Sequence, residues 1–531
     1  MSKKQWLHVL LLAGWMALPA SGFEITKAEG ASLRAGRVSD DQGVPLHAAT
    51  VMFRHLETAV TTSVLTDAEG EFWVPLLANG EYEISAQKKG VEARAPRTVM
   101  ASGPWKDLVF TLPNLQVIPI SQLSTSDLVP HLPEAPEKML LVRTCGNCHS
   151  LGTVLGGGGR SRSEWEEVLK RMQGMQSGYI RVPPTTMPSI LEYLSRYFGP
   201  DSVRTEEMGR DIKRNRREEI PLGHEVVFTE YDIPTAHGRP HTAVPDKRGN
   251  VWFTEFAARK IGKLDILKGE ITEYPLQVEN TNPHGITVGP DGTVWFTALP
   301  TGIGRIDPAT GKMEEFKVPD RPGGKFPGPH TIIVSRSGKI WFTQIMSGTI
   351  SNFDPETREF RVIEVEEGTT PYGILEKEDD VFWFAVSRPG KIGMLNARTG
   401  EMQLYPVPTP NSVSQRFRFD TSGRLWFGEY GGDKIGMFDP DTKRFTEYEL
   451  PFRSTPYSIH IDRQGFVWVG CFERDSLVRF DPRTGQMVEY PLPGVGAIIR
   501  DIWPDDQGRM WFVQWGRDKV TSAELVKRSA N

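Results

Sequence analysis

Tryptophan recurs in the second half of the chain at a spacing that few folds can accommodate. Seven tryptophans are separated by 43, 46, 42, 43, 42 and 43 positions, and each lies in a short apolar run. They are Trp252, Trp295, Trp341, Trp383, Trp426, Trp468 and Trp511. Each run is followed by further short strand patterns, often with an Ile-Gly pair and an Asp-Pro turn between them. Four short strands in about 43 residues are typical of a β-propeller blade, so we predict seven blades over residues 223–525.

The order of the strands predicts how this ring closes. Each repeat ends in a strand resembling Glu-Tyr-Pro, but residues 226–234 form such a strand before the first tryptophan. The last tryptophan, Trp511, has no such strand after it. We therefore expect residues 226–234 to supply the outer strand of the seventh blade. This arrangement joins the two ends of the ring and removes an open sheet edge.

Upstream of the repeat, Cys145, Cys148 and His149 form the motif C-x-x-C-H. This is the spacing of covalent haem c attachment, in which two thiols form thioethers with the haem vinyl groups. Residues three apart face the same way on a helical turn, and the histidine takes an axial position on the iron. A structural zinc site needs about four ligands, and the third cysteine, Cys471, lies far away in the repeat. We predict one covalent haem c per chain.

The sixth iron ligand is one of three methionines, of which we name Met172 first, with Met187 as the alternative and Met175 behind them. Residues 135–200 carry patterns for three short helices, which resemble a compact class I cytochrome c domain. Met172 ends the middle helix in a W-x-x-V-x-x-x-M arrangement similar to that of short periplasmic cytochrome domains. Met187 precedes the last helix, as the ligand-bearing loop of a class I cytochrome does, and Met175 is the third candidate. The resemblance implies transfer of single electrons.

The first residues predict export. Lys3 and Lys4 precede an apolar run that ends near a candidate cleavage site of small residues beginning at Ala20. Residues 1–22 are therefore predicted to be a secretory signal. An uncleaved N-terminal anchor is the alternative. No other stretch reaches about 18 consecutive apolar residues, so we expect no integral membrane segment in the mature chain. The net charge of −5 shows no basic excess, and nucleic acid is not an expected partner. We predict a periplasmic or otherwise exported protein.

Residues 23–115 alternate short β runs with turn signals. From Gly36 to Ala86, the pattern G-x-V-x-D-x-x-G-x-P-L, T-D-x-x-G-x-F, G-x-Y-x-I-x-A resembles the carboxypeptidase regulatory-like domain. The resemblance implies a transthyretin-like β-sandwich with a packing or docking role. Residues 116–134 are interpreted as a linker and residues 201–222 as a charged linker helix. The predicted fold class is mainly β and multidomain, with an N-terminal β-sandwich, a small all-α haem c domain and a C-terminal seven-bladed β-propeller.

The propeller repeat carries a second resemblance. The run that begins Pro283-His284-Gly285-Ile286 and continues to Trp-Phe-Thr is similar to the virginiamycin B lyase (streptogramin lyase) family. That family opens a cyclic depsipeptide by elimination. The resemblance implies a Glu-x-His and a later Glu, whose carboxylates hold Mg²⁺ while the histidine handles the proton. Only blade one pairs the histidine with the later glutamate, as His241 and Glu255, and Arg239 stands in place of the other carboxylate. These two residues are the candidate catalytic pair, and no blade has the full set of residues implied for Mg²⁺.

A polar residue stands eleven positions before each of the seven tryptophans, where the innermost strand should reach the channel mouth. These residues are His241, His284, His330, Tyr372, Gln415, Tyr457 and Arg500. They could simply form hydrogen bonds with one another around a water-filled channel. Alternatively, they bind a polar or anionic ligand, with His284, His330, Arg416 and Arg500 as candidate ligand-binding residues.

Three functions follow as hypotheses. The first is an exported c-type cytochrome that transfers single electrons, with a propeller that binds a small-molecule substrate or a periplasmic redox partner. The second is an enzyme with its active site in the propeller channel, either a lyase or an oxidoreductase that feeds the haem. The third treats the propeller and sandwich as recognition modules and the haem as a sensor.

Overall fold

The computed structural model describes residues 33–526, except 90, 93–96, 102–104, 148, 157–158, 175–183, 216–219 and 321–325. The predicted signal, Cys148 and Met175 lie outside the described residues. The described chain forms an N-terminal β domain, a helical segment and a C-terminal ring of β-sheets. The mainly β, multidomain prediction is therefore confirmed. Within the described part, no helix is long and apolar enough to cross a bilayer.

Eight strands form the N-terminal domain. They are β1 (Leu33–Asp40), β2 (Thr50–His55), β3 (Thr61–Leu65), β4 (Glu71–Val74), β5 (Gly80–Lys88), β6 (Val91–Glu92), β7 (Arg97–Ala101) and β8 (Leu108–Leu112). One sheet has the order β4-β1-β8, and the other contains β3, β2 and β5 with β6 and β7 beside β5. Because alternate residues of a strand face one side, the two sheets bury a shared core that includes Val51, Phe53, Phe72 and Ile84. This is the layered arrangement expected of the N-terminal β-sandwich.

Among the residues that the structure describes, six α-helices follow, together with three short 3₁₀ turns (Ile120–Gln122, Val129–His131 and Pro184–Thr186). The helices are α1 (Thr125–Leu128), α2 (Lys138–Cys145), α3 (Leu151–Leu155), α4 (Arg162–Gly174), α5 (Met187–Tyr197) and α6 (Arg204–Asn215). The charged linker helix expected near residue 210 is α6, and its Met208 and Ile212 are buried.

The interpretation of residues 116–134 as a linker is wrong in one respect. Their prolines indicate an irregular chain, but the apolar residues between the prolines pack into the core of the helical segment. Those buried residues are Ile118, Ile120, Leu123, Leu128, Val129 and Leu132. The segment therefore belongs to the helical unit, since burial of these side chains against α2, α3 and α5 stabilises both.

The remaining strands form seven antiparallel blades of four strands; six are separate sheets, and the seventh belongs to a larger sheet. Blades one to three comprise β10 (Pro240–Pro245), β11 (Asn250–Glu255), β12 (Lys260–Asp265), β13 (Glu270–Pro275); β14 (Asn282–Val288), β15 (Val294–Leu299), β16 (Gly302–Ile306), β17 (Met313–Lys317); and β18 (Pro329–Val334), β19 (Ile340–Gln344), β20 (Thr349–Phe353), β21 (Phe360–Glu364). Blades four and five comprise β22 (Pro371–Glu378), β23 (Val381–Val386), β24 (Lys391–Asn396), β25 (Met402–Pro406); and β26 (Ser414–Phe419), β27 (Leu425–Glu429), β28 (Lys434–Asp439), β29 (Arg444–Glu449). Blade six comprises β30 (Pro456–Ile461), β31 (Val467–Cys471), β32 (Ser476–Phe480) and β33 (Met487–Pro491).

The repeated Trp-Phe and Ile-Gly pairs have a shared packing role. All seven repeat tryptophans are buried, at no more than 4% exposure. The phenylalanine after the tryptophan lies against the glycine of the next strand, so that a Cβ atom at Gly262 would lie 2.1 Å from the Phe253 ring. The same contact occurs between Gly436 and Phe427 in blade five. The Ile-Gly signal therefore reflects space for a ring on the neighbouring strand.

Blade seven contains β34 (Ile499–Pro504), β35 (Met510–Gln514) and β36 (Lys519–Leu525), and it closes as predicted. Its outer strand is β9 (Val226–Asp232), which pairs antiparallel with β36. The other edge of β9 pairs antiparallel with β3, from Thr61 opposite Glu230 to Val64 opposite Val227. One nine-stranded sheet thus runs from blade seven into the N-terminal domain, and the sandwich covers the edge of the blade.

Candidate functional site

The innermost strands bring the predicted polar residues together in a ring at the channel mouth. The ring centroids of His241 and His284 are 3.6 Å apart, and those of His284 and His330 are 4.0 Å apart. The ring of His330 lies 4.0 Å from that of Tyr372, whose hydroxyl shares a 2.6 Å hydrogen bond with the hydroxyl of Tyr457. Residues that are 42 or more positions apart in the sequence therefore form one continuous polar surface, which we call the channel ring.

Burial and nearby cations keep the histidines of this ring neutral. Burial lowers the pKa of His241, His284 and His330 well below the usual value, and the charges of Arg416 and Arg500 lower it further. A neutral imidazole can donate through one nitrogen and accept through the other. The ring is therefore a hydrogen-bonding surface, and its positive charge comes from arginine.

A cavity of about 990 Å³ lies over the channel ring. Its roof includes Met139, Val142 and Arg143 of helix α2 and Asn147 of the C-x-x-C-H motif, and its floor includes His241, His284, Tyr372, Tyr457 and Arg500. Arg500 Nη2 donates a 3.0 Å hydrogen bond to the carbonyl oxygen of Asn147. The segment between the two motif cysteines therefore rests directly on the propeller.

The lining of this mouth cavity is aromatic and positively charged. Phe256, Tyr430 and Trp515 line it beside the two ring tyrosines, and the guanidinium of Arg500 lies 4.5 Å from the Trp515 ring. Among its lining residues, four are arginines and one, Glu473, carries a carboxylate. Glu473 pairs with Arg453 at 2.5 Å. An excess of guanidinium groups and aromatic rings favours an anionic, planar ligand.

The part of the C-x-x-C-H motif that the structure describes fits a covalent haem. Cys145 ends α2 and packs against the helical core, and the backbone N–H of His149 donates to the carbonyl oxygen of Cys145 at 3.1 Å. Burial and the charge of Arg239 lower the pKa of His149 to about 4. The imidazole is then neutral, which is the form that binds iron. Cys148 lies outside the described residues.

The methionines proposed as sixth ligands differ in their surroundings. Met187 begins α5, is buried and belongs to the same apolar cluster as Cys145. Met172 lies on the last turn of α4 and is only partly buried. The sequence pattern favours Met172 as the sixth ligand. The burial of Met187 in the same cluster as Cys145 favours Met187 instead.

The carboxylate of Glu255 belongs to a cluster that blade five repeats. In blade one, Lys260 and Thr235 both donate to Glu273, at 2.5 and 2.8 Å, next to Glu255. In blade five, the equivalent residues are Glu429, Lys434, Glu447 and Thr409, at identical spacings from the tryptophan. Blade five has Gln415 rather than histidine in the channel ring. The repetition favours a structural role for Glu255. The cluster was not predicted from the sequence because its four members are far apart in each repeat.

The two buried glutamates predict a pH-dependent stability. Burial and the neighbouring Glu273 and Glu447 raise the pKa of Glu255 and Glu429 to about 8. A carboxyl with a raised pKa binds its proton more tightly in the folded state, so its contribution is complete below pH 4.5 and is lost as the pH rises through 8. We expect the free energy of unfolding in urea to fall by about 2 kcal/mol per carboxyl between pH 6 and 9.

The double variant Glu255→Gln with Glu429→Gln keeps the shape of both side chains but cannot ionise, so its unfolding should depend less on pH over this interval. The exposed pair Glu270→Gln with Glu356→Gln is the matched control and should keep the wild-type dependence. Equal slopes for all three proteins would contradict the raised pKa values.

The residues implied for Mg²⁺ do not form a suitable site. Arg239, in place of the second carboxylate, is tied by its backbone N–H to Asp518 at 3.0 Å. Within the described ranges there is no group of three or more His, Cys, Asp or Glu side chains that could hold a metal ion. Arg416, proposed for the ligand site, does not line the mouth cavity; its Nη1 donates a 2.8 Å hydrogen bond to Thr331 Oγ1 of blade three.

The fold and the channel define this part of the chain as a seven-bladed β-propeller with a ligand-accessible polar mouth. The model of the virginiamycin B lyase family matches residues 219–306 and 303–528, and that of the carboxypeptidase regulatory-like domain matches residues 35–113. The chain belongs to the virginiamycin B lyase family, with a carboxypeptidase regulatory-like domain at its N-terminal side. No curated protein matched in a sequence search.

Solved structures agree with this assignment. Virginiamycin B lyase from Staphylococcus aureus is 26% identical, with a TM-score of 0.53, over 57% of this chain and 100% of that one. A streptogramin B lyase structure is 25% identical, with a TM-score of 0.52, over 56% and 98% of the two chains. A catalytically inactive variant of the S. aureus enzyme with quinupristin is also similar, at 26% identity and a TM-score of 0.51, over 56% and 100% of the two chains.

Proposed function

We propose that this protein is an exported c-type cytochrome in which a small anionic molecule, bound in the mouth cavity, exchanges single electrons with a haem on Cys145 and Cys148. The observation that supports this proposal most is the hydrogen bond from Arg500 to the carbonyl oxygen of Asn147. It brings the haem-attachment segment and the channel ring to opposite sides of one cavity. A volume of about 990 Å³ is at the upper end of the range for small-molecule sites.

The chain's own residues would divide the work. Cys145 and Cys148 would tether the porphyrin, and neutral His149 would hold the iron from one side. Bound haem would supply one-electron chemistry. Arg500 would orient an anionic ligand towards the motif, and Trp515 and Tyr430 would offer aromatic faces to it. The enclosing roof and floor favour a small molecule over a protein partner as the occupant of the cavity.

Visible spectra test this function. The protein should be exported by a strain able to mature c-type cytochromes, and spectra recorded in the oxidised and dithionite-reduced states. We expect a sharp α-band in the reduced protein, from haem that stays with the polypeptide after denaturation. Protein that folds and is exported without covalent haem would contradict the proposal.

The sixth ligand gives a further prediction. We expect Met187→Ala to abolish the weak charge-transfer band near the red edge of the oxidised spectrum, because a thioether bound to iron produces it. Met172→Ala, in the same helical segment, is the matched variant and should keep the band. Loss of the band in Met172→Ala alone would assign the ligand to Met172 and reverse the assignment made from burial.

A lyase is the second candidate, favoured by the family membership and by neutral His241 in the cavity wall. Its test is the opening of quinupristin, with and without added Mg²⁺, by wild-type protein and by Cys145→Ala with Cys148→Ala. Mg²⁺-dependent turnover that survives removal of both cysteines would establish the lyase and leave the haem without a catalytic role.

A further inference from the structure

A second cavity, of about 20 Å³, lies inside the propeller channel next to the channel ring. Several of its lining residues directly follow a ring residue along the inner strands, among them Thr242, Thr331, Arg416 and Asp501. Arg418 and Trp503 complete the part of the wall that carries charge and an aromatic face. A space of this size holds a single particle about as large as a water molecule.

The charges around this inner cavity do not balance. Arg416 and Arg418 are 4% and 8% exposed, and the carboxylate between them, Asp501, is 1% exposed. The nearest ion-pair distances are 3.6 Å from Arg416 Nε and 3.7 Å from Arg418 Nη2 to the oxygens of Asp501. Both are longer than a hydrogen bond. One carboxylate therefore faces two buried guanidinium groups, and an uncompensated buried charge is strongly unfavourable.

The guanidinium groups also retain hydrogen-bond donors without acceptors. Arg416 Nη1 donates to Thr331 Oγ1 and Arg418 Nη1 to the carbonyl oxygen of Phe417, each at 2.8 Å. Nε and Nη2 of both arginines are buried and have no acceptor among the residues that the structure describes. Trp503 provides a partial countercharge, because its ring lies 4.1 Å from the Arg418 guanidinium. It accepts no hydrogen bond from these in-plane N–H groups.

We propose that the inner cavity binds one small monovalent anion, which is chloride in ordinary salt solutions, between Arg416 and Arg418. A water molecule could accept these hydrogen bonds but would leave the charge unbalanced, and a phosphate or sulfate is larger than the space. The anion supplies both the missing acceptors and the missing charge. It would hold the two arginines in place below the channel ring. The salt composition would therefore change the thermal stability of the propeller independently of the haem.

Thermal unfolding in different salts tests this site. In the full-length protein we expect the Tm to rise with sodium chloride by about 2 °C for each tenfold increase above the dissociation constant. Sodium gluconate at equal ionic strength should not give this rise, because gluconate is too large for the cavity. Arg418→Met should abolish the chloride effect. Arg424→Met, in the same blade but on its surface, pairs with Asp420 and should keep the effect.

A measurement on the wild-type protein guards against variants that do not fold. Crystals soaked in sodium bromide should show an anomalous peak within contact distance of Arg416 and Arg418. A peak of ordinary density without anomalous signal would identify water and overturn the proposal. Equal stabilisation by chloride and gluconate would also overturn it, since that result reports ionic strength alone.

Discussion

Replacing Cys145 and Cys148 with alanine is expected to remove all covalently bound haem. Both thioethers are lost, and His149 alone cannot keep a porphyrin attached to a denatured chain. Haem staining of a denaturing gel and the reduced visible spectrum measure the loss. The far-UV circular dichroism of the propeller strands should change little, because the core clusters of the propeller lie in separate sheets. The helical segment would lose the stabilisation that a bound haem gives to its folded state, so it should unfold at a lower temperature.

Cys471→Ala is the matched control. Cys471 is fully buried at the end of β31 in blade six, and burial raises the pKa of its thiol, so it is an inert apolar side chain. We expect this variant to retain the full haem content of the wild-type protein. Covalent haem in the double variant, or equal loss in Cys471→Ala, would show that the motif is not the attachment site.

The second large effect concerns the strand that joins the domains. We expect Phe228→Ala to lower the free energy of unfolding by about 3–5 kcal/mol, the cost of truncating a large buried aromatic side chain. Phe228 lies on β9, is 0% exposed and packs in the cluster that contains Leu65, Tyr490, Met510 and Phe512. Because β9 closes blade seven and also pairs with β3, the loss should destabilise both the propeller and the N-terminal domain.

Urea unfolding followed by tryptophan fluorescence and by circular dichroism measures this effect. Leu267→Ala, in the exposed hairpin of blade one, is the control, since Leu267 is 82% exposed. It should unfold at the wild-type urea concentration. If Phe228→Ala does the same, the closing strand contributes little to stability, and the continuous sheet would not couple the two domains.

Much of the fold could be predicted from the chain because its signals are local and repeated. No closing strand pattern follows Trp511, and residues 226–234 form such a pattern before the first repeat. These two observations were enough to predict the closure that β9 and β36 form. The sequence did not predict that the free edge of β9 would pair with β3, because edge pairing between distant strands leaves no periodic trace.

The candidate site was predictable only in part. The positions of the channel ring follow from the blade period, so His241, His284 and His330 could be placed at one mouth. The role of Glu255 was inferred from one blade, whereas the structure shows the same cluster around Glu429, and this comparison needs the strand register. Trp515 stands four positions after its repeat tryptophan, as Phe256 and Tyr430 do, and this repeated position was missed. Arg453 follows the last strand of blade five in a loop whose course depends on packing, so it carried no sequence signal.

The sequence by itself determined the number of blades and the identity of the N-terminal domain, and it predicted the chemistry of C-x-x-C-H, because each depends on residues close together in the chain. Tertiary structure decided which surfaces meet. Asn147 and Arg500 are 353 positions apart, and Arg416 and Thr331 are 85 apart, yet each pair forms a hydrogen bond. Such contacts result from the docking of domains and the closing of the ring, whose energies depend on burial over the whole surface and not on local pattern.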